Sequence, residues 1–152
     1  MIPRTNDKRG VTVKRLILAA ALLLSAVLVS AADDSKVKFV SHEQVAKGGS
    51  LATAPTFSVT VAHRDKAGMV EVHDKETDTI YVLDGSATIV TGGTMVGGSV
   101  TAPGQQRGSD IKGGAAQQLV KGDVMVIPAG IPHWFKEVPK SVDYYVVKVI
   151  AP

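Results

Sequence analysis

Between residues 70 and 85 the chain reads VEVHDKETDTIYVLDG, which sets Glu71, Asp74, Glu76, Asp78 and Asp84 around one histidine, His73. Carboxylates and imidazoles at such density can hold a metal ion or move protons. Side chains on a strand alternate faces, so Met69, Glu71 and His73 share one side. A glutamate turned inward is costly unless it is paired or coordinates a metal. Glu71 is therefore a ligand, a salt-bridge partner of Lys75, or a residue that a bulge turns outward. Asp78 opens the next strand, on the face of Ile80 and Val82, as a ligand or a turn residue. Asp74, Glu76 and Asp84 read as solvated.

A second cluster runs GDVMVIPAGIPHWFKE over residues 122–137. Gly122 and Asp123 make a turn, residues 124–127 a strand, and Pro128, Ala129 and Gly130 a break. His133 opens the next strand, with Phe135 and Glu137 on its side. Proline and glycine at these positions fix the backbone direction, which a site needs to aim a ligand. His133 is a ligand or a satisfied core histidine. Glu137 is an inward candidate for orienting a ligand or acting as general base. Met69 and Phe135 read as lining.

The elements that must position these residues are strands. Phe57, Val59, Val61 and His63 alternate with polar or small residues, and residues 64–68 form a turn back into residues 69–73. A simple hairpin there would place Val59 and Val61 opposite His73 and Glu71, making theirs the interior face. His63 would share that face next to the turn. Residues 79–83 are β-branched and aromatic, Asp84-Gly85 is a hairpin signal, and residues 87–91 return. Strands at 116–120, 124–127, 133–135 and 143–150 follow, which together argue an all-β sandwich or barrel. Ser41 and Gln44 form a capping box for a short helix that Gly48-Gly49 ends, with His42 on its surface. Residues 92–114 carry eight glycines and break the rhythm. A segment of this kind is a surface excursion, a lid or dimer arm, or a glycine-rich hairpin.

The N-terminal part has a different logic. Residues 1–15 hold five basic residues and one acid, residues 16–29 are apolar apart from Ser25, and SAADD follows. A basic region, a short apolar run and small residues mark a secretory signal peptide, with cleavage after Ala31 or Ala32. The apolar run is short for a membrane span, which needs about 20 residues. A periplasmic or secreted protein with no membrane partner after cleavage is expected. The leader also carries the charge excess. The chain has 17 basic and 14 acidic residues, and without residues 1–32 the balance is 12 against 13. No basic stripe with interleaved aromatics remains, so nucleic acid is excluded as a partner. With no cysteine, an exported domain of this size relies on packing, a metal or oligomerisation.

On these two clusters the sequence resembles the cupins. One cupin motif is a glycine, five residues, Pro-x-Gly, two residues, a histidine, three residues and an asparagine. Gly122, Pro128, Gly130 and His133 match it at the right spacing, and Glu137 stands for the asparagine. The other motif is His-x-His, three or four residues, Glu, six residues and Gly. Counted back from Gly85, Asp78 takes the glutamate position, His73 the second histidine and Glu71 the first. The leading glycine is out of register, with Asp65 in its place and Gly68 nearby.

The resemblance spans residues 57–150. It implies a single double-stranded β-helix (jelly-roll) barrel over 57–152, with residues 33–56 as an N-terminal helix and arm. It also implies a divalent metal (Fe, Mn or Zn) held inside by Glu71, His73, Asp78 and His133. Two imidazoles with a carboxylate also resemble a two-histidine-one-carboxylate site. A second carboxylate would neutralise the ion and weaken its Lewis acidity. Three functions stay open: a metal-dependent enzyme on a small polar oxygen-bearing substrate, a non-catalytic ligand binder, and a structural homodimer. Glu71 in a histidine position favours the binder, and outward Tyr81, Leu83 and Trp134 would suit the dimer.

Overall fold

The computed structural model describes residues 36–152, so the leader expected at 1–32 lies outside the described residues. Helix α1 (His42–Lys47) starts as its residues dictate. The Ser41 hydroxyl accepts from the Gln44 amide, and the Gln44 side chain accepts from the Ser41 amide at 2.9 Å. The strands that follow are β1 (Gly49–Thr53), β2 (Phe57–Arg64), β3 (Val70–His73) and β4 (Glu76–Thr91). Then come β5 (Thr94–Val96), β6 (Ser99–Ala102), β7 (Gln105–Gly108) and β8 (Asp110–Lys112). The last four are β9 (Ala115–Val120), β10 (Val124–Ile127), β11 (His133–Glu137) and β12 (Val142–Ile150). All pairings are antiparallel, in the order β1-β2-β12-β4-β11-β3-β7-β6, with β9 and β10 also on β4. This is the all-β jelly roll expected. Among the described residues no helix is long and apolar enough to cross a membrane.

β4 is the spine, and it corrects one expectation. Asp84-Gly85 is not a hairpin turn but a bend inside one strand of 16 residues. Before the bend β4 pairs with β12 and β10; after it, with β11 and β9. Gly85 has φ 76°, and a Cβ there would lie 2.1 Å from the Ser141 carbonyl oxygen. Only glycine lets the backbone turn the corner this close to β12. The core gathers along the inner side of the bend: Ile80 and Val82 before it, Ala87 and Ile89 after it, packed with Phe135 and Tyr144. Ile80, Val82, Ile89 and Phe135 each contribute about 1.5–3 kcal/mol on burial.

The hairpin expected across residues 64–68 is also absent. β2 pairs with β1 and β12, whereas β3 pairs with β11 and β7. The chain crosses from one sheet to the other at that turn, so β2 does not set the parity of β3. The inner face of β2 carries Ala62 and Arg64, while Phe57 and Val59 line a groove beneath the N-terminal arm. His63 is exposed and pairs with Asp143 at 2.7 Å.

The glycine-rich segment is paired into strands, in part on the main sheet and in part as a separate two-stranded sheet. β6 and β7 form a hairpin that extends the sheet beyond β3, and β5 pairs with β8. Its glycines do local work: Gly97 and Gly104 turn with positive φ, and a Cβ on Gly108 would come within 2.4 Å of Met95. The hairpin in this segment is the β6–β7 pair, residues 99–108. Docking β7 on β3 sets Gln105 directly opposite His73.

Candidate metal centre

β3 and β11 run side by side with His133 opposite Glu71, and the start of β4 brings Asp78 to the same point. The four polar ends form an alternating ring. His73 Nε2 lies 3.4 Å from Glu71 Oε2 and 3.7 Å from Asp78 Oδ2. His133 Nε2 lies 3.9 Å and 3.7 Å from the same two oxygens. His73, Asp78 and His133 are buried, and Glu71 is about three-quarters so. Donors bound to one Zn-sized ion at about 2.0–2.2 Å sit roughly 3–3.6 Å apart; the donor atoms of Glu71, His73 and His133 lie within 4.8 Å of one another, and Asp78 groups with His73 and Glu76.

The ring nitrogens are set for that task. Gln105 Oε1 lies 2.5 Å from His73 Nδ1. The orientation of this amide follows from its other end, where Gln105 Nε2 donates to Glu76 at 2.7 Å. A carboxylate only accepts, so Gln105 must turn its NH2 to Glu76 and its oxygen to His73. His73 then carries its proton on Nδ1 and leaves the Nε2 lone pair bare. His133 Nδ1 likewise donates to the Ile131 carbonyl at 3.0 Å, which frees its Nε2. Second partners of this kind fix the tautomer of metal-binding histidines. Among the described residues His73 Nε2 is buried without a hydrogen-bond partner, an uncommon arrangement that an ion or a catalytic role would account for.

Charges reinforce the arrangement. Burial pushes the Glu71 carboxyl upward. The His73 contact, Arg107 and His133 outweigh it and bring its pKa down to about 2, so Glu71 stays anionic. Burial lowers His133, and neighbouring His73 acts in the same direction against Ile131, Asp78 and Glu71, which favours a neutral imidazole. Burial also opposes charge on His73, but Glu71, Asp78 and Gln105 prevail over it and over Lys148, and its pKa rises. A proton thus competes for His73 in the metal-free protein.

Several residues in the site were not anticipated. Lys148 Nζ bonds both Asp78 oxygens at 2.9 and 3.1 Å and Glu76 at 2.8 Å. Glu76, expected in solvent, is mostly buried and lies 3.6 Å from His73 Nδ1. Glu71 does not meet Lys75, which bonds the Pro152 carbonyl; its cations are Arg107 at 3.6 Å and Arg64 at 3.9 Å. A period-2 reading of β12 puts Lys148 on the inward face with Tyr144 and Val146, so a signal for it existed. No sequence signal pointed to Gln105. Glu137 is corrected outright. The register of β11 slips between Phe135 and Glu137, and Glu137 ends exposed, 3.3 Å from the Thr88 hydroxyl and outside the cavity. Asp74 and Asp84 are on the surface as expected, held by Gln106 and Lys121.

The ring opens onto a cavity of about 180 Å3 whose floor includes Glu71, Asp78 and His133. It is also lined by the apolar side chains of Ile80, Phe135 and Val146 and the polar ones of Arg64, Tyr144 and Lys148. The volume is below the ~300–1,000 Å3 typical of drug-sized sites, so it suits a ligand of few atoms.

The family model for cupins matches residues 49–151. The chain belongs to the cupin family. Among solved structures, BH2720 from Bacillus halodurans is 14% identical with a TM-score of 0.55, over 79% of this chain and 86% of that one. The cupin domain of Cnp3 from Schizosaccharomyces pombe is 15% identical with a TM-score of 0.50, over 68% of this chain and 60% of that one. At such identities the likeness shows the cupin fold. Comparison with curated protein sequences gives no significant match. Within this cupin, Glu71, His73 and His133 form one group of potential metal donors, and His73, Glu76 and Asp78 form a second that shares His73.

Proposed function

We propose that this protein is an exported cupin that binds one divalent transition metal (Fe, Mn or Zn) and presents it to a small molecule in the barrel. Glu71, His73 and His133 hold the ion, with Asp78 as the fourth donor. The observation that carries this reading is the pair of bare, inward Nε2 atoms facing two carboxylates, one of those nitrogens buried with no partner. When bound, such an ion supplies Lewis acidity and, if redox-active, electron transfer. The chain's own residues do the rest. Gln105 and Ile131 hold the imidazoles in the binding tautomer. Glu71 remains ionised at neutral pH, Lys148 offsets part of the acidic charge, and Ile80, Phe135 and Val146 keep bulk water from the floor. Export rests on the signal-like residues 1–32. Pairing into a homodimer has support from Tyr81, Val124 and Val126, exposed on neighbouring strands.

The test is metal content of untagged protein after growth with each metal supplied in turn. About one equivalent, lost on His73→Ala and on His133→Ala, is expected; less than a tenth of an equivalent in every culture would refute the proposal. A second reading rests on Lys148. Its ammonium already binds both Asp78 oxygens, a role that makes a metal-free ligand-binding cupin self-consistent. A stoichiometry near zero in a stable, folded protein selects that reading.

A further inference from the structure

Arg64 sits beside the ring with most of its hydrogen-bonding capacity unspent. Its Nε donates to the Tyr144 hydroxyl at 3.0 Å, and its guanidinium carbon lies 4.8 Å from the centre of the Phe135 ring. Its remaining polar contact is Nη2 to Glu71 Oε1 at 3.9 Å, an ion-pair distance and too long for a hydrogen bond. The two terminal NH2 groups therefore have no hydrogen-bond acceptor among the described residues. Among the described residues Tyr144, which accepts from Arg64, has no acceptor for its own proton, and its ring stacks on Phe135 at 4.9 Å. Both residues line the 180 Å3 cavity, beside Phe135 and next to the apolar side chains of Ile80 and Val146.

Glu71 links this pair to the metal centre, because its Oε1 faces Arg64 and Arg107 while its Oε2 faces the two imidazoles. Around the site three acids (Glu71, Glu76, Asp78) meet three bases (Arg64, Arg107, Lys148). With both imidazoles neutral these charges balance, and a divalent ion would leave the centre with two positive charges in excess. A planar guanidinium with two free NH2 groups matches the two oxygens of a carboxylate.

We infer that the cavity takes a small carboxylate, its two oxygens held by the Arg64 terminal nitrogens and the Tyr144 hydroxyl, and its carbon chain against Ile80 and Val146. The grip itself belongs to Arg64 and Tyr144. Only the gain in affinity on metal loading rests on the proposed metal centre. Specificity follows from leaving partly buried donors unpaired when the ligand lacks a carboxylate.

The experiment is a 1H–15N NMR titration of the purified protein, metal-free and with one equivalent of Zn2+, using propionate and its uncharged isostere propanamide. Metal stoichiometry is measured separately beforehand, so a failure of metal binding is recognised as such and the metal-free titration still decides this inference. Propionate should bind at least tenfold more tightly than propanamide, and the shifted amides should cluster around residues 64, 135 and 144. Arg64→Lys, which keeps the charge but loses the planar fork, should weaken propionate at least tenfold without changing propanamide. Tyr144→Phe keeps the stacking and should weaken propionate severalfold, which covers the case of a poorly folded Arg64 variant. Equal affinity for the two probes, or wild-type propionate binding in both variants, would overturn the inference.

Discussion

Replacing Gln105 with leucine separates the tautomer argument from the ligand set, because Gln105 touches no ion itself. The substitution removes the acceptor 2.5 Å from His73 Nδ1 and the donor 2.7 Å from Glu76. His73 is then free to move its proton to Nε2, the atom that must be bare, and Glu76 loses one of its fixed partners. Loss of such an outer partner lowers metal affinity about 10–100-fold, or roughly 1.4–2.7 kcal/mol. The assay is competition for Zn2+ against a chromophoric chelator at pH 7.5. Gln106→Leu is the control. Gln106 is the next residue on the same strand, faces the other way and bonds Asp74 at 3.2 Å, so its loss should leave affinity within twofold. If Gln105→Leu also stays within threefold of the parent while remaining folded, the amide does not set the His73 tautomer, and the reasoning from Glu76 to Gln105 to His73 fails.

Further outcomes follow from the same geometry. Glu71 has its folded pKa depressed from 4.5 to about 2, so its contribution is fully present above pH 4.5 and is lost as pH falls towards 2. Glu71→Gln should flatten the acid limb of metal-free stability in that window, read from urea midpoints at pH 2 to 6; a parallel acid limb would contradict the assigned pairing. Lys148→Met leaves Asp78 and Glu76 without their shared cation and should destabilise the metal-free protein by about 3–5 kcal/mol. One equivalent of Zn2+ should recover much of that in a thermal melt, and no metal-dependent recovery would argue against Asp78 as a donor. Gly85→Ala forces a Cβ within 2.1 Å of a carbonyl at a positive φ, and a loss above about 2 kcal/mol on denaturant unfolding is expected. A near-neutral result would mean that the corner of β4 has room.

The residues themselves were enough to recognise the barrel and most of the candidate site. Alternation puts Glu71 and His73 on one face of a strand whatever its neighbours are, and proline and glycine before His133 stop β10 and restart the chain for geometric reasons local to them. The Ser41 capping box is equally local, since its partners are three residues apart. Pairing is another matter. Asp84-Gly85 satisfies the local rule for a two-residue turn, and only the approach of β12 to within a carbonyl's reach decides that the strand continues through a bend. The 64–68 turn likewise looks like a hairpin until β12 and β11 compete for β2 and β3.

The sequence alone determined which side chains could coordinate an ion, because their type and parity are properties of one strand at a time. Tertiary structure decided what those side chains are prepared to do. Gln105 meets His73 across 32 residues, and Lys148 meets Asp78 across 70. Neither contact has a spacing rule, because strands far apart in the chain become neighbours only when the sheet closes. The same closure brings Arg64 and Tyr144 to the cavity wall and carries Glu137, so well placed in the motif, out to the surface.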